Sequence, residues 1–246
     1  MNASTAPAWT ITPVDLGSRI AHSHWFFYLE PSSEPLRIVY RAWLLARGGE
    51  YVLVDTGPPV DEARRRGIEG MRGIVDGLAD LGVDAGAVAT VILTHMHWDH
   101  AAAADRFPAA RILAQRAEID FFLNGSDGHP AMSRFFSHRE MMRGLIAEGR
   151  IQALDGDATV HGDLRALRVG GHTPGSQMVA VPTAQGLAVL TGDAIPMNRN
   201  FRQAIPNGIL VNLPDAVAAL RIVRTLDADR IYTGHDPEPF LDVREP

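Results

Sequence analysis

Three histidines and one aspartate fall within Thr94-His95-Met96-His97-Trp98-Asp99-His100, directly after the apolar run Thr90-Val91-Ile92-Leu93. Imidazole nitrogen and carboxylate oxygen are metal ligands, and together they suit zinc, iron, manganese or nickel, so the cluster does not name its metal. His95 and His97 are two apart, while Asp99 and His100 are adjacent. No single helix or strand face presents all four to one ion. A tight loop can split them, two imidazoles toward one ion and a carboxylate with an imidazole toward a second. The apolar run reads as a buried strand emptying into that loop at its carboxyl end, where open α/β sheets place their chemistry. The competing reading is a polar loop with incidental histidines, and the density of ligand types weighs against it.

The same punctuation recurs downstream, an apolar strand followed by glycine and a ligand-type residue: Gly171-His172, Gly192-Asp193 and Gly234-His235. Glycines there permit close approach of backbone. Upstream, Asp55-Thr56-Gly57 closes another apolar strand. Asp55 is either a turn residue or a carboxylate that holds a ligand histidine through its non-metallated nitrogen.

These motifs, with Gly171-His172-Thr173-Pro174-Gly175-Ser176, Thr191-Gly192-Asp193 and Gly234-His235-Asp236 in this order, resemble the metallo-β-lactamase superfamily. Residues 93–102, 206–213 and 234–237 are most similar to its N-acyl-homoserine-lactonase-like branch. The resemblance implies an α/β fold, a four-layer αβ/βα sandwich. It assigns His95, His97 and His172 to one ion, Asp99, His100 and His235 to a second, and Asp193 to both. Asp99 and Asp193 then belong to the catalytic centre, and Asp55 is the orienting carboxylate. The cofactors implied are two divalent ions per chain, zinc foremost, and the activity is a hydrolase that opens a lactone with a hydroxide bridging the ions. A mononuclear iron sulfur dioxygenase, a thioesterase and a non-catalytic binder are the alternatives. One position departs from the branch: the tyrosine expected three residues after the bridging aspartate is Pro196 here. Tyr28, Asn198 and Arg199 are candidates to replace it at the substrate.

Composition narrows the chemistry. The chain has no cysteine, and all 23 basic residues are arginine, so neither a thiolate ligand nor a Schiff base is available. The net charge of −6 offers no footprint for nucleic acid. No apolar run approaches the ~20 residues of a membrane span, and residues 1–13 lack a secretory pattern. A cytoplasmic enzyme with a small-molecule substrate and no membrane partner is expected. A homodimer is compatible with the sequence, which does not specify the oligomeric state.

The positioning elements follow from periodicity. Strands are predicted near residues 9–14, at the aromatic segment 24–29, and at 38–46 and 51–55 around a glycine turn. An amphipathic helix is predicted over 61–81 despite four interior glycines. A strand at 111–114 precedes a Phe- and Met-rich stretch, 115–150, predicted as two helices around residues 124–128. That stretch is either a lid over an apolar substrate, with Phe122 and Phe136 lining the pocket, or a packing cluster. His129 and His138 within it have no neighbouring ligand type and are read as bystanders. Strands at 164–169, 177–181, 187–191 and 230–233, and a helix to about Thr225, complete a single domain over residues 1–246.

Overall fold

The computed structural model describes residues 8–125 and 130–244. Two mixed six-stranded sheets run in chain order. The first holds β1 (Thr10–His22), β2 (Pro35–Arg47), β3 (Glu50–Val54), β4 (Val88–Ile92), β5 (Arg111–Gln115) and β6 (Ile151–Leu154). The second holds β7 (Ala158–His161), β8 (Leu164–Arg168), β9 (Gln177–Thr183), β10 (Gly186–Gly192), β11 (Arg230–Thr233) and β12 (Leu241–Asp242). Strands β3 to β6 pair in parallel, as do β10 and β11; the remaining pairs are antiparallel.

The layers follow from the two-residue pleat, which sends neighbouring side chains to opposite faces. Val52, Val54, Ile92 and Leu113 meet Val179, Val181, Ala188 and Leu190 in a core between the sheets. Their neighbours Leu53, Val91, Ile112 and Ala114 face the other way, under α1 (Val60–Arg65), α2 (Ile74–Asp80), α3 (Trp98–Ala101), α4 (Arg116–Asp120), α5 (Pro130–Ser133) and α6 (Arg139–Ala147). On the far side, Met178, Val189 and Ile231 pack against Ala219, Leu220 and Val223 of α8 (Leu213–Thr225), next to α7 (Asn198–Gln203). Helix, sheet, sheet, helix is the expected αβ/βα sandwich. Burial of both faces explains why β3, β4 and β5 read as unbroken apolar runs.

Local expectations fail at two places. Residues 24–29 are not a strand: Ser23–Trp25 form a 3₁₀ turn, whose Ser23 carbonyl accepts from both Phe26 and Phe27 N–H. Phe26 and Phe27 are buried nonetheless, so the aromatics serve the core through a turn. The helix expected over 61–81 is broken into α1 and α2. Gly67 and Gly70 between them take φ of 75° and 63°. Between these glycines, Glu69 exchanges two backbone hydrogen bonds with Ser18 of β1. Bonds offered by that strand edge outcompete a helix already weakened by glycine. β6, β7 and α7 are too short and weakly patterned to have been predicted.

The segment after β5 passes through a π-helical turn, Phe121–Gly125, between α4 and α5. Phe121, Phe122, Phe136 and Met142 are buried in the core beneath the helices. His129 lies outside the described residues. Among the described residues no helix is long and apolar enough to cross a membrane.

His138, buried at the start of α6, has its pKa lowered from 6.5 to about 4, chiefly because burial disfavours the charged ring. Between those values the unfolded chain binds a proton that the folded chain refuses. This contribution to stability is present above pH 6.5 and lost as pH falls toward 4, about 3 kcal/mol in all. Unfolding free energy measured across that window should fall less steeply in His138→Leu than in the parent; equal slopes would contradict the assignment.

Candidate metal centre

Every ligand-type residue in the site follows the carboxyl end of a strand. Asp55 follows β3, the His95–His100 stretch follows β4, His172 follows β8, Asp193 follows β10 and His235 follows β11. Asp55 joins two of these ends. Its Oδ1 accepts from Thr94 N–H at 2.7 Å, and its Oδ2 accepts from Thr94 Oγ1 and His100 Nδ1, both at 2.8 Å. His97 stands immediately before α3, whose first turn carries Asp99 and His100. The loop therefore divides these candidate ligands between groups.

The donor atoms converge. His172 Nε2 lies 3.2 Å from His95 Nε2 and 2.9 Å from His97 Nδ1. Asp99, His100 and His235 form another group whose donor atoms lie within 4.8 Å of one another. Asp193 stands between them. Its Oδ1 is 3.3 Å from His100 Nε2 and 3.1 Å from His235 Nε2, whereas its Oδ2 is 3.4 Å from His172 Nε2.

The outward nitrogens are committed elsewhere. His172 Nδ1 donates to the Ile209 carbonyl at 2.6 Å, and His235 Nδ1 donates to the Val39 carbonyl at 2.8 Å. His95 Nδ1 meets Thr94 Oγ1 at 3.1 Å. Donating at one nitrogen leaves the lone pair on the other, directed inward. Burial holds the His95, His97 and His172 pKa values below the usual histidine range. At His100 and His235 burial opposes protonation too, but Asp193 and the other nearby carboxylates overcome it and raise both. Converging lone pairs in a field that favours positive charge fit divalent cations.

Two features hold the loops in place that sequence reasoning did not find. Buried Glu118 in α4 accepts from Met96 N–H at 2.8 Å with Oε1 and from Gly175 N–H at 3.0 Å with Oε2. It thus ties the first ligand loop to the one carrying His172. Burial raises the pKa of this carboxyl group, against those two N–H donors. A Cβ on Gly175 would stand 2.3 Å from Glu118 N, so only glycine lets this loop approach α4. Asn207 donates to the Asp193 carbonyl at 2.8 Å and stands 3.2 Å from His172 Nδ1. Neither residue carries a local pattern; the contacts exist only in the fold.

A cavity of about 170 Å³ opens on the centre, lined by His97, Asp99, His172, Asp193 and His235 together with Tyr40, Trp98, Phe135, Arg19, Arg66, Arg134 and neighbours. The sequence-derived pocket candidates Tyr28, Phe122, Phe136, Asn198 and Arg199 are not among its lining residues. Arg199 is drawn outward to Glu30 at 2.7 Å, and the Asn198 side-chain carbonyl accepts from Thr233 Oγ1 at 3.2 Å. Tyr28 is half-buried, its backbone N–H donating to the Pro206 carbonyl. Phe122 is core, and Phe136 packs edge-on to His97 at 5.0 Å without reaching the cavity. Pro196 accepts the His235 N–H at 2.7 Å through its carbonyl. Tyr40, 1 % exposed, lines the cavity with its ring 5.5 Å from that of His235. Its hydroxyl makes no hydrogen bond among the described residues. Of the remaining histidines, His22, His24, His138 and His161 lie outside the ligand groups.

The chain belongs to the metallo-beta-lactamase superfamily, whose family model matches residues 39–235. It is 31% identical over 188 residues to the N-acyl homoserine lactonase AttM of Azorhizobium caulinodans, covering 70% of this chain and 67% of the relative. With an N-acyl homoserine lactonase of Bacillus thuringiensis it shares 28% identity over 212 residues, 78% and 79% of the two chains. Among solved structures, that of a quorum-quenching N-acyl homoserine lactone lactonase aligns with a TM-score of 0.79 at 23% identity, covering 97% of this chain and 95% of that one. AidC, a dizinc quorum-quenching lactonase, aligns at 0.75 with 18% identity, covering 98% and 93%. At these identities the structures establish the shared fold.

Glu118→Ala should leave two buried N–H groups without acceptors, at about 1–3 kcal/mol each. Metal affinity should then fall about 10- to 100-fold as the ligand loops loosen. Metal titration with thermal unfolding checks this, and an unchanged affinity would rule out the clamp.

Proposed function

We propose that this chain is a dinuclear metal-dependent hydrolase that opens a lactone. The observation that carries the reading is Asp193, whose two oxygens address different ligand groups. His95, His97 and His172 would hold one ion, Asp99, His100 and His235 the other, with Asp193 shared between them. Zinc is the favoured metal, by analogy with AidC, the dizinc lactonase of the same fold. When bound, two such ions would supply Lewis acidity, activating water at neutral pH and polarising an ester carbonyl. A mononuclear iron reading leaves the second ligand group unused, which argues against it.

The protein's own part is orientation and proton placement. Asp55 fixes the His100 ring, and the Ile209 and Val39 carbonyls fix those of His172 and His235. Burial pushes the Tyr40 hydroxyl above its usual pKa range, with Asp99 and Asp193 adding to the effect, so it stays protonated and can donate. In this reading Tyr40 takes the place of the tyrosine that the branch carries where Pro196 stands here, donating to the substrate carbonyl oxygen. Arg134 and Phe135, after α5, close one side of the cavity, within a single domain. The same proposal places the enzyme in the cytoplasm, acting on a small molecule.

Elemental analysis should give about two ions per chain, and chelation should abolish activity that divalent metal restores. Lactone opening should release one proton per turnover at pH 7, since the product carboxyl has a pKa near 4. One tightly held ion with full activity, or oxygen uptake matching turnover, would overturn the dinuclear hydrolase. Tyr40→Phe should lower kcat about 100-fold with less change in KM. An unchanged kcat would show that the hydroxyl has no part in the reaction.

A further inference from the structure

Three guanidinium groups ring a cavity in a chain of net charge −6. Each stands over an aromatic ring of the cavity wall, and two of those rings, Tyr40 and Phe135, lie against candidate ligand histidines. Arg19 lies 5.9 Å from the centre of the Tyr40 ring, which packs on His235. Arg66 lies 4.2 Å above Trp98, next in sequence to His97 and Asp99. Arg134 lies 5.0 Å from Phe135, whose ring stacks on His97 at 4.8 Å. They are also chained through the backbone, Arg19 Nη1 donating to the Arg66 carbonyl and Arg66 Nη2 to the Arg134 carbonyl, each at 3.4 Å.

Their charges are not balanced alike. Arg66 is neutralised by Glu62, which accepts from its Nε at 2.9 Å and its Nη2 at 2.6 Å. Arg19 and Arg134 have no carboxylate partner among the described residues. Arg19 Nε is moreover a buried donor with no acceptor. Such a group is costly unless something pairs with it. Among the described residues, the acids lining the cavity are Asp99 and Asp193, which the hydrolase reading assigns to the metals.

We propose that the substrate carries a carboxylate, recognised by Arg19 and Arg134, on a short spacer from the ester carbonyl that meets the metal centre. This rests on the hydrolase reading above and narrows its substrate class. An N-acyl homoserine lactone is uncharged and would leave both guanidiniums unpaired. A guanidinium fork matches a carboxylate with two parallel N–H donors. One aromatic ring between each guanidinium and the ligand set defines the spacer as short.

The test compares a five-membered lactone bearing a ring carboxylate with the same lactone bearing a carboxamide, on the metal-loaded enzyme. The carboxylate should be preferred about 10- to 100-fold in kcat/KM, mostly through KM, and the preference should shrink with salt. Arg134→Gln and Arg19→Gln should each remove most of that preference, lowering kcat/KM for the carboxylate lactone about tenfold more than for the carboxamide. Arg134 is exposed, so its variant reports without a folding penalty. Equal kcat/KM for the two lactones, or equal losses on both in the variants, would overturn the proposal. Calorimetry with the ring-opened products reads the same site without turnover. The hydroxy-dicarboxylate should bind about tenfold more tightly than the hydroxy-acid amide, and lose that margin in Arg134→Gln; equal affinities would overturn it. If neither lactone is hydrolysed yet this margin appears, the lactonase reading fails and the carboxylate site stands.

Discussion

A buried carboxylate, Asp55, takes three hydrogen bonds from Thr94 and His100, and the geometry of the centre hangs on them. They tie the end of β3 to the end of β4 and the start of α3. Asp55 adopts a left-handed φ of 61°, a conformation that costs a non-glycine residue about 1–3 kcal/mol. Hydrogen bonds to a buried charge offset such a cost, since each contributes about 1.5–3 kcal/mol. Were the backbone to relax, the carboxylate would leave Thr94 and the His100 ring would lose its orientation.

Around those bonds, the two sheets supply candidate ligands from opposite sides. The first contributes His95, His97, Asp99 and His100, and loops from the second contribute His172, Asp193 and His235. Their registration depends on contacts that cross between the sheets. Glu118 spans the Met96 and Gly175 backbones, and Gln177 donates to the Leu93 carbonyl at 2.7 Å while accepting from Gln115 at 2.8 Å. Val39 of β2 donates its N–H to the His235 carbonyl at 3.0 Å and accepts from the His235 ring. Close-packed glycines matter for the same reason: a Cβ on Gly234 would stand 2.5 Å from Asp193 Oδ1.

Electrostatics divides the cavity into zones. Carboxylates concentrate where the histidine lone pairs converge, which suits cations. Beyond one layer of aromatic rings, the lining turns to arginine. A metal centre flanked by guanidiniums would repel itself if the two were adjacent. Tyr40, Trp98 and Phe135 separate them, and their faces favour the cations stacked on them.

Much of the centre was legible in the primary structure because its signals are local. Ligand spacing in residues 95–100 depends only on neighbours, and the glycine before each of His172, Asp193 and His235 marks a strand end without reference to any partner. Strand periodicity likewise identified β2 and β3, while the layered sandwich came from the family resemblance. Where tertiary partners competed with local preference, local reading failed: β1 broke the helix expected over 61–81, and the core drew residues 24–29 into a turn. The cavity wall was least legible. Tyr40, Glu118 and the three arginines come from distant parts of the chain, and each alone reads as an ordinary core or surface residue. Only folding brings a tyrosine of β2 and arginines from β1, the end of α1 and the segment after α5 around one cavity. Short-range spacing determined which atoms could bind metal; long-range packing decided what else faces them.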